Sequence, residues 1–148
     1  MEKLANTFWE RPKALMLPPR PYHSWRHIRA VCGTLTRWLG PSLPPALLHA
    51  ALWHDAIYDP KAPDNEEKSA EVCEAYLRER NVDEETISRA VALILATKKH
   101  IPPDNSTDAL AMLDADLWIL GAVGRLYDRY ATLIRQEYVT VPEEAYRT

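Results

Sequence analysis

Cysteine is scarce: the chain has only two, Cys32 and Cys73, far apart in helix-like segments. That excludes a disulfide framework and a CxxC metal knot. Free cysteine is among the most buried residue types, so both read as apolar core positions. A basic excess is also missing. Lys plus Arg number 18 against 21 Asp plus Glu, for a formal net charge of −3. That argues against a domain whose affinity comes from neutralising nucleic-acid phosphates. No apolar run approaches the ~20 residues that span a bilayer. The longest, Ala46 to Trp53, contains His49. The N-terminus has no apolar signal core and no small-residue cleavage site. The expectation is a soluble, cytoplasmic protein that does not enter a membrane. No segment alternates polar and apolar residues with period two, so no sheet is expected. Internal repeats, low-complexity tracts and domain linkers are absent as well.

What is present is an ordinary globular composition. The chain has 148 residues, 47% hydrophobic and 26% charged. One domain of this size buries roughly 68–70% of its unfolded surface and needs no disulfide staple. The twelve prolines fall at 12–21, 41–45, 60–63, 102–103 and 142. Proline removes a backbone donor and clashes with the preceding turn, so these clusters mark loops or first helical turns. Between them the apolar residues show helical spacing. Helices are expected over Tyr22 to Leu39, over Pro45 to Tyr58, and from a cap at Asp64 or Asn65 to about Arg80. Further helices are expected from a cap at Asp83, from Asp108 to Leu120, and along the stripe Val123, Leu126, Tyr127, Tyr130, Ile134 and Tyr138. The reading is an all-α fold of six or seven helices in one domain over 1–148. Residues 1–20 are expected as an N-terminal arm. Residues 141–148, with Pro142 followed by two acids, are expected as the start of a helix cut short.

His54-Asp55 stands out within the most apolar helix. Such a pair is expensive to bury without a partner. Asp116 raises the same question, because its helical neighbours at i−4, i+3 and i+4 are Met112, Ile119 and Leu120. His27 lies at i−4 from Val31, on the buried edge of its own helix. A hydrogen-bonded core role for each residue is the plainer alternative, but it requires four separate partners. One divalent cation would satisfy two imidazoles and two carboxylates together.

His27, the His54-Asp55 pair and Asp116, taken in order, resemble the H…HD…D signature of the HD-domain superfamily of metal-dependent phosphohydrolases. Longer strings resemble one bacterial branch of predicted HD-superfamily hydrolases. These are Tyr22-His23-Ser24-Trp25-Arg26-His27-Ile28, then Trp53-His54-Asp55-Ala56-Ile57-Tyr58-Asp59-Pro60, then Asp64-Asn65-Glu66-Glu67-Lys68-Ser69-Ala70, then Ala96-Thr97-Lys98-Lys99-His100, then Leu113-Asp114-Ala115-Asp116-Leu117. The likeness runs from about Tyr22 to Arg147. It implies an all-helical HD domain around one metal ion, with His27, His54, Asp55 and Asp116 as ligands. Mixed nitrogen and oxygen donors suit Mn, Fe, Co, Ni or Zn, with Mg also compatible. Only His100 lies between the HD pair and the last aspartate, so a second metal is not implied.

The resemblance further implies hydrolysis of a small phosphoester, a nucleotide being the expected substrate. Many single-metal members place a glutamate three residues after the HD aspartate. Here that residue is Tyr58, and Asp59 or Glu66 is expected to serve instead as the catalytic acid or base beside Asp55. His23, Lys68, Lys98 and His100 are candidate substrate contacts. Each also has a plainer reading, as a helix-end charge or a solvated side chain. Asp114 reads as a structural acid, and Trp25, Trp38, Trp53 and Trp118 as core. The rival functional reading is a regulatory module that binds metal and nucleotide without turnover. An iron-dependent oxygenase needs more ligands than the sequence offers, and a metal-free structural protein is the remainder.

Overall fold

The computed structural model describes residues 10–147, and among them every regular element is helical. The N-terminal arm carries a helix, α1, over residues 10–15. It is followed by α2 (Trp25–Leu39), α3 (Pro45–Trp53), α4 (Asn65–Glu79), α5 (Glu84–Thr97) and α6 (Thr107–Leu117). A 3₁₀ turn (Trp118–Gly121), α7 (Arg125–Glu137) and a short α8 (Glu143–Tyr146) complete the order. The expected all-α class holds. No helix among these residues is long and apolar enough to cross a membrane.

α3 is the axis of the packing. It is apolar nearly all round, and Leu47, Ala50, Ala51, Leu52 and Trp53 are fully buried. Only a helix surrounded by others can bury every face. α2, α4, α5 and α6 supply the surround. Ile28, Val31 and Leu35 come from α2, Cys73, Tyr76 and Leu77 from α4, Ala90, Leu93 and Ile94 from α5, and Ala109, Met112 and Ala115 from α6. The Trp53 and Tyr76 rings meet at 4.9 Å. Both cysteines are buried and free, and burial pushes the thiols up, Cys32 to about 11 and Cys73 to about 12. α7 and α8 bury no residue fully.

Helix ends differ from the sequence reading where side chains intervene. α3 stops at Trp53, not Tyr58. The chain turns out at His54, and the carbonyls of Asp55 and Ala56 accept from Arg20 at 2.9 and 3.0 Å. Ser69 holds the next residue at both ends, accepting from the Ile57 amide at 3.0 Å and donating to its carbonyl at 3.1 Å. Neither Asp64 nor Asn65 caps α4 through its side chain. Asp64 pairs with Lys68, and Asn65 accepts from the Asp59 amide while donating to the carbonyls of Asp59 and Ala62. Asp83 does cap α5, accepting from the Thr86 amide at 2.8 Å. α6 starts before Asp108, which is bound instead by Arg89, whose guanidinium also takes Asp104 and Ser106.

The tryptophans divide. Trp53 is core and Trp25 packs against the core, but Trp38 is 50% exposed and Trp118 37%. Trp38 lies at the end of α2, and Trp118 lies in the 3₁₀ turn, where the 3.6-residue stripe breaks. Asp114 is exposed.

Truncating Leu93 to Ala should lower unfolding free energy by about 2–5 kcal/mol, because the residue is fully enclosed. Val123→Ala, at 86% exposure, should stay within about 0.5 kcal/mol. Urea titrations of the two variants check this contrast.

Candidate metal centre

Three chain segments bring four donor residues together beneath the end of α3. His27 is on the first turn of α2, His54 caps the C-terminus of α3, Asp55 follows in the turn, and Asp116 is near the end of α6. His27 Nε2 lies 3.2 Å from His54 Nε2 and 3.0 Å from Asp116 Oδ1. Asp55 Oδ2 lies 3.4 Å from His27 Nε2 and 3.3 Å from His54 Nε2. His54 Nε2 and Asp116 Oδ1 are 3.4 Å apart. Two donors at about 2.1 Å from a common ion stand about 3.0 Å apart at right angles and about 3.4 Å apart at the tetrahedral angle. These separations therefore match the edges of a coordination polyhedron. His27, His54 and Asp116 form a possible metal-binding triad, with all donor atoms within 4.8 Å of one another.

The hydrogen atoms agree with that arrangement. His54 Nδ1 is 3.0 Å from the Ala51 carbonyl, which can only accept. Nδ1 therefore carries the proton, and in the neutral ring the Nε2 lone pair faces the other donors. Asp55 Oδ2 is buried and makes no hydrogen bond among the described residues. A buried carboxylate oxygen left in this way is costly unless a cation faces it. The donor set therefore fits a divalent ion.

Charge at the centre is correspondingly skewed. Burial lowers the basicity of His54, but the nearby carboxylates of Asp55 and Asp116 outweigh it and hold the imidazole well above its usual range. Burial pushes Asp55 and Asp116 up, yet the His54 charge draws both below the carboxylate range. The imidazole and the two carboxylates thus favour one another's charged forms.

His100 joins this cluster. Its Nε2 lies 3.0 Å from Asp116 Oδ2, the oxygen not turned toward His27. Its backbone is left-handed, φ 51°, a conformation that non-glycine residues adopt rarely and at some cost. That bend after α5 aims the ring inward. His23 lies one turn before His27, and their ring centroids are 5.9 Å apart. Its Nδ1 is 2.6 Å from Glu137 Oε2, and it stacks on Tyr58 at 4.0 Å.

Other anticipated residues lie elsewhere. Asp59 is exposed and accepts from the Lys61 amide. Among the described residues no hydrogen bond or ion pair joins Asp59 or Glu66 to the four donors. Lys68 pairs with Asp64 at 2.9 Å, while Lys98 pairs with Glu67 at 2.5 Å and donates to the Pro63 carbonyl.

Glu137 was not anticipated. Its side chain is 2% exposed, and it accepts from the amides of Tyr22 and His23 at 2.6 and 2.7 Å as well as facing the His23 ring. It thereby fastens α7 to the turn that starts α2. The sequence signal was its place on the α7 stripe, three residues after Ile134 and one before Tyr138. Tyr138 in turn shares a 2.9 Å hydroxyl–hydroxyl contact with Tyr58.

Comparison of the chain with protein families, curated proteins and solved structures finds no match.

Two outcomes follow. Divalent ions such as Mn²⁺ should raise the unfolding free energy, by about 2.7 kcal/mol at one hundred times Kd. Chelator should reverse this, and Asp116→Ala should abolish the response; calorimetric melting with and without metal measures it. The second outcome is a pH dependence. Burial lowers the basicity of His23 but the Glu137 contact raises it further, while His23 and backbone amides hold Glu137 low against the effect of burial. The stabilisation from charged His23 is full below the ordinary imidazole value of 6.5 and is lost as pH rises through the raised value of the folded protein. The stabilisation from ionised Glu137 is full above the ordinary carboxyl value of 4.5 and is lost as pH falls through the lowered value of the folded protein. The Tm gap between wild type and Glu137→Gln should therefore be widest between these two values and narrow on either side.

Proposed function

We propose that this chain is a metal-dependent phosphohydrolase of the HD type, acting on a small phosphoester of the nucleotide class. The observation that carries the reading is the convergence of His27, His54 and Asp116 at ligand-to-ligand spacing, with the unsatisfied Asp55 oxygen beside them. Asp55 is assigned as the fourth ligand, and the ion as one of Mn, Fe, Co, Ni or Zn, with Mg compatible.

Such an ion, when bound, supplies Lewis acidity toward a phosphoryl oxygen and activates water. The side chains do the rest. His54 is locked in the tautomer that offers Nε2, by its Nδ1–H donation to Ala51. His100 orients Asp116 through Oδ2 and is itself 32% exposed. His23, with Nδ1 facing Glu137, keeps Nε2 for proton transfer to the departing alkoxide, a role worth about 10²–10⁴-fold. This replaces Asp59 and Glu66, which share no hydrogen bond or ion pair with the donors among the described residues.

A second reading, a regulatory module that binds metal and nucleotide without turnover, draws support from the lack of any acid at the Tyr58 position. Kinetics on a panel of 5′-nucleotides and simple phosphate monoesters, with each metal in turn, separates the two. The enzyme reading expects metal-dependent release of phosphate, abolished in Asp55→Ala and reduced about 10²–10⁴-fold in kcat for His23→Gln. Metal and nucleotide binding with no turnover under any metal would establish the regulatory reading.

A further inference from the structure

Two arginines without an ion pair among the described residues, Arg26 and Arg129, line a cleft beside His27. This cleft, of about 180 Å³, opens between the start of α2 and the face of α7. Its apolar walls include Tyr22, Trp118, Leu126 and Tyr130. Arg26 and Arg129 line the same cleft, and both are exposed. Neither makes an ion pair or hydrogen bond among the described residues, whereas Lys68 and Lys98 are both held by acids.

Charge makes this placement meaningful. Asp55 and Asp116 together neutralise one divalent ion, so a loaded centre offers little net attraction to a multiply charged anion. Additional positive charge must come from the cleft itself. Guanidinium groups recognise phosphate through paired N–H donors, and an unpaired arginine gives up no existing partner when it binds. The apolar remainder of the cleft carries aromatic faces suited to a planar ring.

We infer that this cleft is the substrate-binding site and selects a nucleoside diphosphate or a closely related organic polyphosphate. Arg26 and Arg129 hold the phosphate charge that the centre leaves uncompensated, and the base lies against Tyr22, Tyr130 and Trp118. The inference rests on the proposed phosphohydrolase reading for its direction toward His27, but not for the binding itself. Trp118 and Leu126, 37% and 58% exposed, are then covered when ligand is bound.

Isothermal calorimetry of the full chain with α,β-methylene-ADP, with and without Mn²⁺, tests it. The Arg26→Ala/Arg129→Ala double variant should bind at least 10-fold more weakly than wild type and show a shallower salt dependence. Its Mn²⁺ binding and melting temperature should be unchanged. A Lys68→Ala/Lys98→Ala control should bind as wild type does. Adenosine and ribose 5-phosphate should each bind at least 10-fold more weakly than the diphosphate. Unchanged affinity in the arginine variant overturns the site, and so does ribose 5-phosphate binding as tightly as the diphosphate. Mn²⁺-loaded wild type that ignores the diphosphate overturns the cleft and leaves the metal centre standing. Arginine-dependent binding by a chain that takes no Mn²⁺ supports the cleft and removes the metal reading.

Discussion

His27 Nε2, His54 Nε2 and Asp116 Oδ1 face one another at 3.0–3.4 Å around the buried end of α3, and Asp55 Oδ2 stands 3.3–3.4 Å from both imidazoles. Such a concentration of polar atoms under an apolar helix is costly to bury without partners, and one shared cation would satisfy them together. Much of the surrounding structure serves that point. α3 is enclosed so that His54 emerges at its end, already fixed in tautomer by Ala51. Arg20 takes the carbonyls that the chain frees as it turns, so Asp55 follows with its carboxylate aimed back at the imidazoles. Arg89 gathers Asp104, Ser106 and Asp108 and so sets where α6 begins, and with it where Asp116 ends up.

The outer helices have a different relation to the centre. α7 buries nothing fully, yet its last residue reaches inward with a nearly enclosed carboxylate. Glu137 links it to the Tyr22 and His23 amides, and those residues lead directly into the helix that carries His27. α7 thus borders the cleft beside His27 while being fastened to the same turn. A loosely packed wall with one strong attachment suits a surface that must accept and release a ligand.

Most of the helical order was legible because apolar residues recur at helical spacing and prolines mark the breaks. The three-segment centre was legible for a related reason. His27, His54-Asp55 and Asp116 are polar residues on faces otherwise committed to the core, and that conflict is visible locally. What the sequence hid depended on long-range partners. Lys98 pairs with a glutamate thirty-one positions away, which its place at a helix end does not reveal. Glu137 was masked because the α7 stripe was read for its apolar members. α3 ends early because of Arg20 and Ser69, neither of which lies within its own segment. Trp38 follows the α2 stripe correctly but lies at its end, where it is half exposed.

X-ray absorption spectroscopy of the chain loaded with Co²⁺ or Mn²⁺ tests the central claim most directly. The account predicts a single ion surrounded by nitrogen and oxygen at about 2.0–2.2 Å, with the multiple-scattering pattern of two imidazoles. That pattern should fall to one imidazole in His27→Ala. A metal environment without imidazole, or one unaltered by His27→Ala, would contradict it.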